Sequence, residues 1–122
     1  MFQAEPNRMT LEEIRDCLDC TVLAGEDRLG IEVDTVVASD GMSVVLTGIS
    51  RGSVLITGLA NIQSVRTAHV ADVAAIIYIR GIRPTEQTLE LARQKKLVVL
   101  STALGMFSCC GILYNNGLKG TI

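Results

Sequence analysis

Residues 53–102 read SVLITGLANIQSVRTAHVADVAAIIYIRGIRPTEQTLELARQKKLVVLST. The apolar runs Ser53 to Ile56, Ala74 to Ile79 and Leu97 to Leu100 read as short buried strands. Helical signals fill the intervals. Asn61 is a fair N-cap for a helix through about Val70. Pro84 and Thr85 start a second helix through Lys95, where Lys95 and Lys96 suit the negative end of the helix dipole. Short apolar strands alternating with helices pair in parallel through right-handed crossovers and need cover on both sheet faces. The stretch therefore predicts an α/β fold, a three-layer α/β/α sandwich with a mostly parallel sheet.

Toward the amino end, Thr10 and Glu13 form a capping box, and Leu11, Ile14 and Leu18 then share one helical stripe. The polar segment Gly25 to Gly30 reads as a turn between a short strand at Thr21 to Leu23 and a longer one at Val33 to Ala38. Period alone does not type GMSVVLTGIS at 41–50, which is read as a short helix. Toward the carboxyl end, a last helix is expected from near Thr102. It would bury Leu104, Phe107, Gly111 and Tyr114 and stop at Asn115, Asn116 and Gly117. With 122 residues and neither repeat nor linker, a single domain over 1–122 is expected.

Composition narrows the function. Hydrophobic residues make up 48% and charged residues 20%, ordinary for a globular domain. The net charge of -2 arises from interspersed acids and bases, and there are two Tyr, two Phe and no Trp. Nucleic-acid binding, which needs phosphate-neutralising cations and usually stacking rings, is disfavoured. The opening MFQAEPNRMT has no signal-peptide core, and no apolar stretch is long enough to cross a bilayer, so a cytoplasmic protein without membrane contact is expected.

Four cysteines raise a metal question: Cys17 and Cys20 form a CxxC, and Cys109 and Cys110 are adjacent. Both pairs fall in predicted helices, where cysteine acts as a small buried hydrophobe, so packing is expected rather than zinc or disulfides. His69, the single histidine, follows Ile62 and Val65 at helical spacing and reads as a core or interface residue. GISRG at 48–52 lacks the lysine of a phosphate-cradling kinase loop and reads as a connection. No nucleophile elbow, paired catalytic carboxylates or firm metal cluster is present, so neither enzymatic activity nor a cofactor is expected.

The segments SVLITG, NIQ, the strand ending at Gly81, the Arg83-Pro84 pair and LVVLST together resemble the DRTGG domain. In that family the first motif is typically G-D-R-x-D-I-Q, and a later strand ends T-G-G with proline three residues on. Gly58, Ile62, Gln63, Gly81 and Pro84 are kept. Leu59 and Ala60 stand for Asp-Arg, and Ile79 and Arg80 for the threonine and first glycine. The family domain is similar to the amino-terminal domain of HPr kinase/phosphorylase and occurs inside some phosphotransacetylases and beside CBS domains. The resemblance implies that same fold and a regulatory role without catalysis.

In open α/β sheets small ligands bind beyond the carboxyl ends of the strands. That rule selects Thr57, Gly58 and Asn61, then Arg80, Gly81 and Arg83, then Ser101 and Thr102, and the family motif adds Gln63. Thr57, Gly58 and Asn61 could form a nest of donors, and Arg80 with Arg83 could grip an anion. The expected function is a regulatory or scaffold domain that self-associates, most simply as a dimer, with room for an unidentified protein partner. The alternative is a sensor of a nucleotide or phosphorylated metabolite at those strand ends.

Overall fold

The computed structural model describes residues 8–47 and 51–121. The opening seven residues and positions 48–50 of the GISRG connection lie outside the described residues. The capping box closes at both ends: Glu13 N donates to Thr10 Oγ1 at 3.1 Å and Thr10 N donates to Glu13 Oε1 at 2.8 Å. Helix α1, Leu11–Leu18, follows and buries Leu11, Ile14 and Leu18, as the stripe required. It is preceded by the two-residue strand β1, Met9–Thr10.

Strand β2 is Thr21–Ala24, and a 3-10 turn at Glu26–Arg28 leads to β3, Glu32–Val33, and β4, Thr35–Ala38. The single strand expected over Val33 to Ala38 is thus broken at Asp34. Its first part pairs antiparallel with β1 in a ribbon of its own, and only β4 enters the main sheet. The short helix read in the ambiguous segment is α2, Met42–Val45.

The regular part follows: β5 Val54–Thr57, α3 Ile62–Ala71, β6 Ala75–Tyr78, α4 Glu86–Gln94 and β7 Val98–Ser101 as predicted, then α5 Met106–Asn115, which starts later than expected, and β8 Lys119–Gly120, a strand that was not expected. The six-stranded sheet runs β2-β7-β6-β5-β4-β8, with only β2 antiparallel to its neighbour. Side chains alternate across it. Val54, Ile56, Ile77, Ile79 and Leu100 meet the layer containing α1 and α5, whereas Leu55, Ile76, Tyr78 and Val99 meet the layer containing α3 and α4. Both faces are therefore dry, which is why the strands read as continuous apolar runs. No helix of the described residues is long and apolar enough to cross a membrane.

Two helices present different faces from those expected. Helix α5 starts at Met106 behind Gly105, and its buried positions are Cys109 and Leu113. Phe107, Gly111 and Tyr114, expected inside, are exposed, and Leu104 is half-buried in the preceding connection. Apolar residues occupy several faces of α5, so helical period could not choose among them, and the smaller Cys109 and Leu113 fill the space over the sheet. Helix α3 buries Ser64, Val65, Thr67, Ala68 and Ala71, a mostly small-residue face that can lie close to the sheet. His69 and Val70 are turned out to solvent, so of the two places expected for His69, core or interface, the core is ruled out.

Candidate functional site

Register brings three loops together at the carboxyl end of the sheet. Ala38 pairs with Ile56 and Thr57 with Tyr78, so the residues just beyond β4, β5 and β6 meet there: Asp40, Gly58 and Arg80. Asp40 Oδ1 accepts the Gly58 N–H at 2.7 Å and the Thr57 hydroxyl at 2.9 Å. Thr57 Oγ1 in turn accepts Leu59 N at 3.1 Å. The Asp40 carboxyl is held below its ordinary range, first by the Gly58 N–H, then by the Thr57 hydroxyl, against a desolvation penalty and with help from the Arg80 charge. Of the donors expected from Thr57, Gly58 and Asn61, the Thr57 hydroxyl and the Gly58 N–H point to the chain's own carboxylate, and Asn61 serves as an acceptor in the α3 cap instead.

Arg80 has φ 57°, in the left-handed region, and Gly81 follows it there at φ 69°. Two consecutive left-handed residues turn the chain after β6, pinned by Arg80 N to Leu104 O and Gly81 N to Thr102 O, both at 2.8 Å. The Arg80 side chain then folds over Gly58. A Cβ there would lie 2.8 Å from Arg80 Nη2, so glycine is what lets the guanidinium approach. Among the described residues this guanidinium makes neither a hydrogen bond nor an ion pair shorter than 4 Å, and its influence on Asp40 is through-space charge.

The other nominated residues serve the fold or stand apart. Asn61 Oδ1 accepts Ser64 N at 3.0 Å as the N-cap of α3, and Ser64 Oγ shares a 2.6 Å hydrogen bond with the buried Tyr78 hydroxyl. Gln63 and Arg83 are exposed, the first in the opening turn of α3 and the second in the loop before α4. Ser101 is buried and paired with Thr21 of β2. The buried Thr102 hydroxyl donates to Leu18 O at 2.6 Å, closing the carboxyl end of α1, and accepts Leu104 N at 3.2 Å. Sequence reasoning missed Asp40. The strand-end rule that selected the other loops would have found it, two residues past Ala38, had the rule been applied to β4 as well.

The cysteines divide differently from the expectation. Cys17 is exposed, and Cys20 is half-buried in the connection after α1 rather than helical; Cys109 is buried and Cys110 half-buried. Burial pushes the Cys20 thiol up to about 12 and the Cys109 thiol up to about 11, so both are protonated at neutral pH and poor nucleophiles or ligands. No group of three or more His, Cys, Asp or Glu side chains among the described residues is arranged to hold a metal ion. His69 borders a small cleft at the opposite end of the sheet with Arg51, Asp72, Lys95 and Lys96, where Arg51 Nη1 reaches Asp72 Oδ2 at 3.3 Å.

A second concave feature lies on the flank of the molecule. A groove of about 510 Å³ runs between α5 and the β4–β8 edge, and Val37, Val44, Cys110 and Leu118 line it. Strand β8 pairs with β4 only at Thr35 and Val36, so among the described residues no strand covers Val37 and Ala38 on that side.

Comparison with known proteins bears on the architecture. The family model of the DRTGG domain matches residues 13–114. No curated protein sequence matches. Among solved structures, the chain is similar to the CBS and DRTGG domains of the regulatory region of Clostridium perfringens pyrophosphatase, complexed with its activator diadenosine tetraphosphate. The TM-score is 0.73 at 21% identity, over 89% of this chain and 47% of that one, a likeness of fold. The chain thus spans about half the length of that regulatory region.

Proposed function

The chain belongs to the DRTGG domain family, and from that membership we propose that it is a regulatory domain without catalysis of its own, acting through association with a second copy and with a protein it controls. One observation carries this reading. The Asp40 carboxylate holds the Gly58 N–H and the Thr57 hydroxyl that an anionic ligand at the strand ends would need. An incoming phosphate would have to displace that carboxylate and then sit beside its charge, which costs affinity on both counts. Surface contact is the remaining means of action, and the outward-facing Phe107 and Tyr114 support it. The net charge of -2 and the lack of a basic run support a role apart from nucleic acid.

Light scattering at micromolar concentration should report more than a monomer mass. Melting curves in millimolar ATP, diadenosine tetraphosphate and sugar phosphates should coincide with the curve in buffer. A clean monomer across dilution overturns self-association, and saturable stabilisation by a phosphorylated compound overturns the ligand-free reading.

A second reading, a sensor of a nucleotide or phosphorylated metabolite, is favoured by the Arg80 guanidinium, which lies over Gly58 without a hydrogen-bonding partner among the described residues. The similar pyrophosphatase regulatory region, complexed with a dinucleotide activator, points the same way. On this reading calorimetric titration with diadenosine tetraphosphate should show binding that Arg80→Ala weakens by about tenfold or more. No heat at millimolar ligand, or equal binding by Arg80→Ala, ends it.

A further inference from the structure

We infer that the small cleft at the amino end of the parallel strands is a docking site for an acidic segment of another protein. The inference rests on the reading above, that this domain acts through contact with a protein it controls, and adds where that contact is made and by what chemistry. The cleft has a volume of about 280 Å³ and forms where the chain turns into β5, β6 and β7. Val73 and Leu97 are buried beneath it. Its exposed rim carries Arg51, His69, Lys95 and Lys96, with Asp72 as the one carboxylate of the lining among the described residues. In a chain of net charge -2 this is a local excess of positive charge.

The chain leaves most of that charge unused. Arg51 reaches Asp72 at 3.3 Å, but among the described residues the side chains of Lys95, Lys96 and His69 make neither a hydrogen bond nor an ion pair shorter than 4 Å. Glu32, beside Ile31 of the lining, is drawn to Arg8 at 3.8 Å. Nor are the cations needed to cap helices. The last carbonyls of α3 and α4 are taken by backbone N–H groups: Ala68 O by Val73, His69 O by Asp72, Leu91 O by Lys95, Ala92 O by Leu97 and Arg93 O by Lys96, at 2.9 to 3.1 Å. Lys96 moreover has φ 57°, a left-handed position just past a helix, where glycine is the common residue. The fold alone would favour glycine there, and the lysine adds charge to the cleft instead.

The kind of anion follows from what the cleft lacks. Phosphate sites are built from free backbone N–H groups and helix amino ends. Here the N–H groups just named are spent, as are Gly52 N on Asp72 O and Ala74 N on Ser53 O, both at 2.8 Å. The helix ends that abut the cleft are the carboxyl ends of α3 and α4, whose dipoles repel a phosphate and favour the cations already there. The volume also falls below the roughly 300 to 1,000 Å³ of pockets that enclose small molecules. Carboxylates spaced along a peptide need neither a nest nor an enclosure. Two ammonium groups on flexible stems and an imidazole can each meet one carboxylate, while Val73 and Leu97 lie beneath the methylenes of a glutamate.

The test is fluorescence anisotropy of a labelled hexaglutamate peptide titrated with the full chain at low salt, with inorganic tripolyphosphate titrated in parallel by calorimetry and melting curves taken alongside. Hexaglutamate should bind saturably. Lys95→Gln combined with Lys96→Gly should weaken that binding by about fivefold or more, and the variant should melt at or above the wild type because glycine suits position 96. Asp72→Asn removes the opposing charge and keeps a residue that tolerates φ 60°, so it should tighten binding by about twofold. Absence of hexaglutamate binding, or binding that neither variant changes, overturns the cleft, while self-association measured by light scattering on the same samples still stands. Tripolyphosphate that binds and stabilises the protein while hexaglutamate is inert overturns both the acidic segment and the ligand-free reading.

Discussion

At the carboxyl ends of the strands the chain satisfies its buried polar side chains from within, whereas along α5 it leaves its largest apolar side chains outside. Thr57 and Gly58 donate to Asp40, and Thr102 donates to Leu18, all at the carboxyl end of the sheet, whose loops form a crevice. Phe107 and Tyr114 face solvent on the flank. The difference follows from what each kind of group costs when unpartnered. A buried donor or acceptor left alone costs about 1 to 3 kcal/mol, a large share of a domain's margin, so it must be resolved inside the chain. Exposed apolar area costs only about 25 cal/mol per Å², spread over many atoms, and can wait for a second molecule. The strand ends are thus settled within the fold, and the flank keeps exposed apolar area that the fold does not use.

The largest effect in the crevice should come from Thr102→Val. Its hydroxyl is buried, donates to the last carbonyl of α1 and accepts Leu104 N, so valine strands two backbone groups at once. A loss of about 2 to 3 kcal/mol is expected, with a fall in melting temperature of roughly 6 to 15 °C for a chain of this size. Denaturant melts would measure it. A loss below about 0.5 kcal/mol would mean that water replaces the hydroxyl and that the crevice is wetter than the comparison allows.

Asp40→Asn comes next, because the amide keeps an acceptor for Gly58 and Thr57 but removes the charge. About 1 kcal/mol should be lost at neutral pH, after allowance for the solvent exposure of Asp40. The pH dependence fixes the sign. The folded carboxyl titrates below its ordinary 3.8, so its contribution is fully present above pH 4 and is lost as pH falls through the depressed folded value. The wild type should therefore outlast Asp40→Asn at pH 7, with the gap closing in acid. With the carboxylate charge gone, inorganic phosphate should bind the variant more tightly than the wild type by calorimetry. Equal phosphate binding by the two proteins would show that Asp40 does not guard the nest.

Much of this was legible in the sequence. The runs Ser53 to Ile56 and Leu97 to Leu100 are apolar because both sheet faces are covered, so local composition reported global position. The caps Thr10 and Asn61 announced their helices because side-chain capping acts within three residues, whereas Thr85, read as part of a helix, is the cap of α4. What was not legible depends on contacts distant in sequence. Asp40 meets Gly58 across 18 residues, and Thr102 meets Leu18 across 84. Nor could period decide which face of α5 goes inside, since Cys109 and Leu113 compete there with Phe107 and Tyr114, and shape against the sheet settles it.

Arg80→Gly should have the smallest effect, and its sign is informative. The backbone at 80 has positive φ, a conformation that costs a side-chain-bearing residue about 1 kcal/mol and glycine nearly nothing. The family's T-G-G signature has glycine at this position, and the paired left-handed turn at 80 and 81 is the physical reason. Against the backbone gain stands the loss of Arg80's attraction to Asp40, worth no more than about 1 kcal/mol where solvent screens it. The two nearly cancel. The melting temperature of Arg80→Gly should lie within about 3 °C of wild type, while the Asp40 carboxyl, followed by carbon-detected NMR titration, should move up toward its ordinary value. A rise in that pKa without a change in stability would show that Arg80 was retained for its charge in the crevice. A fall of 5 °C or more with Asp40 unmoved would show instead that the arginine stem holds the loops by packing over Gly58, and the crevice would then owe its closure to contact rather than to charge.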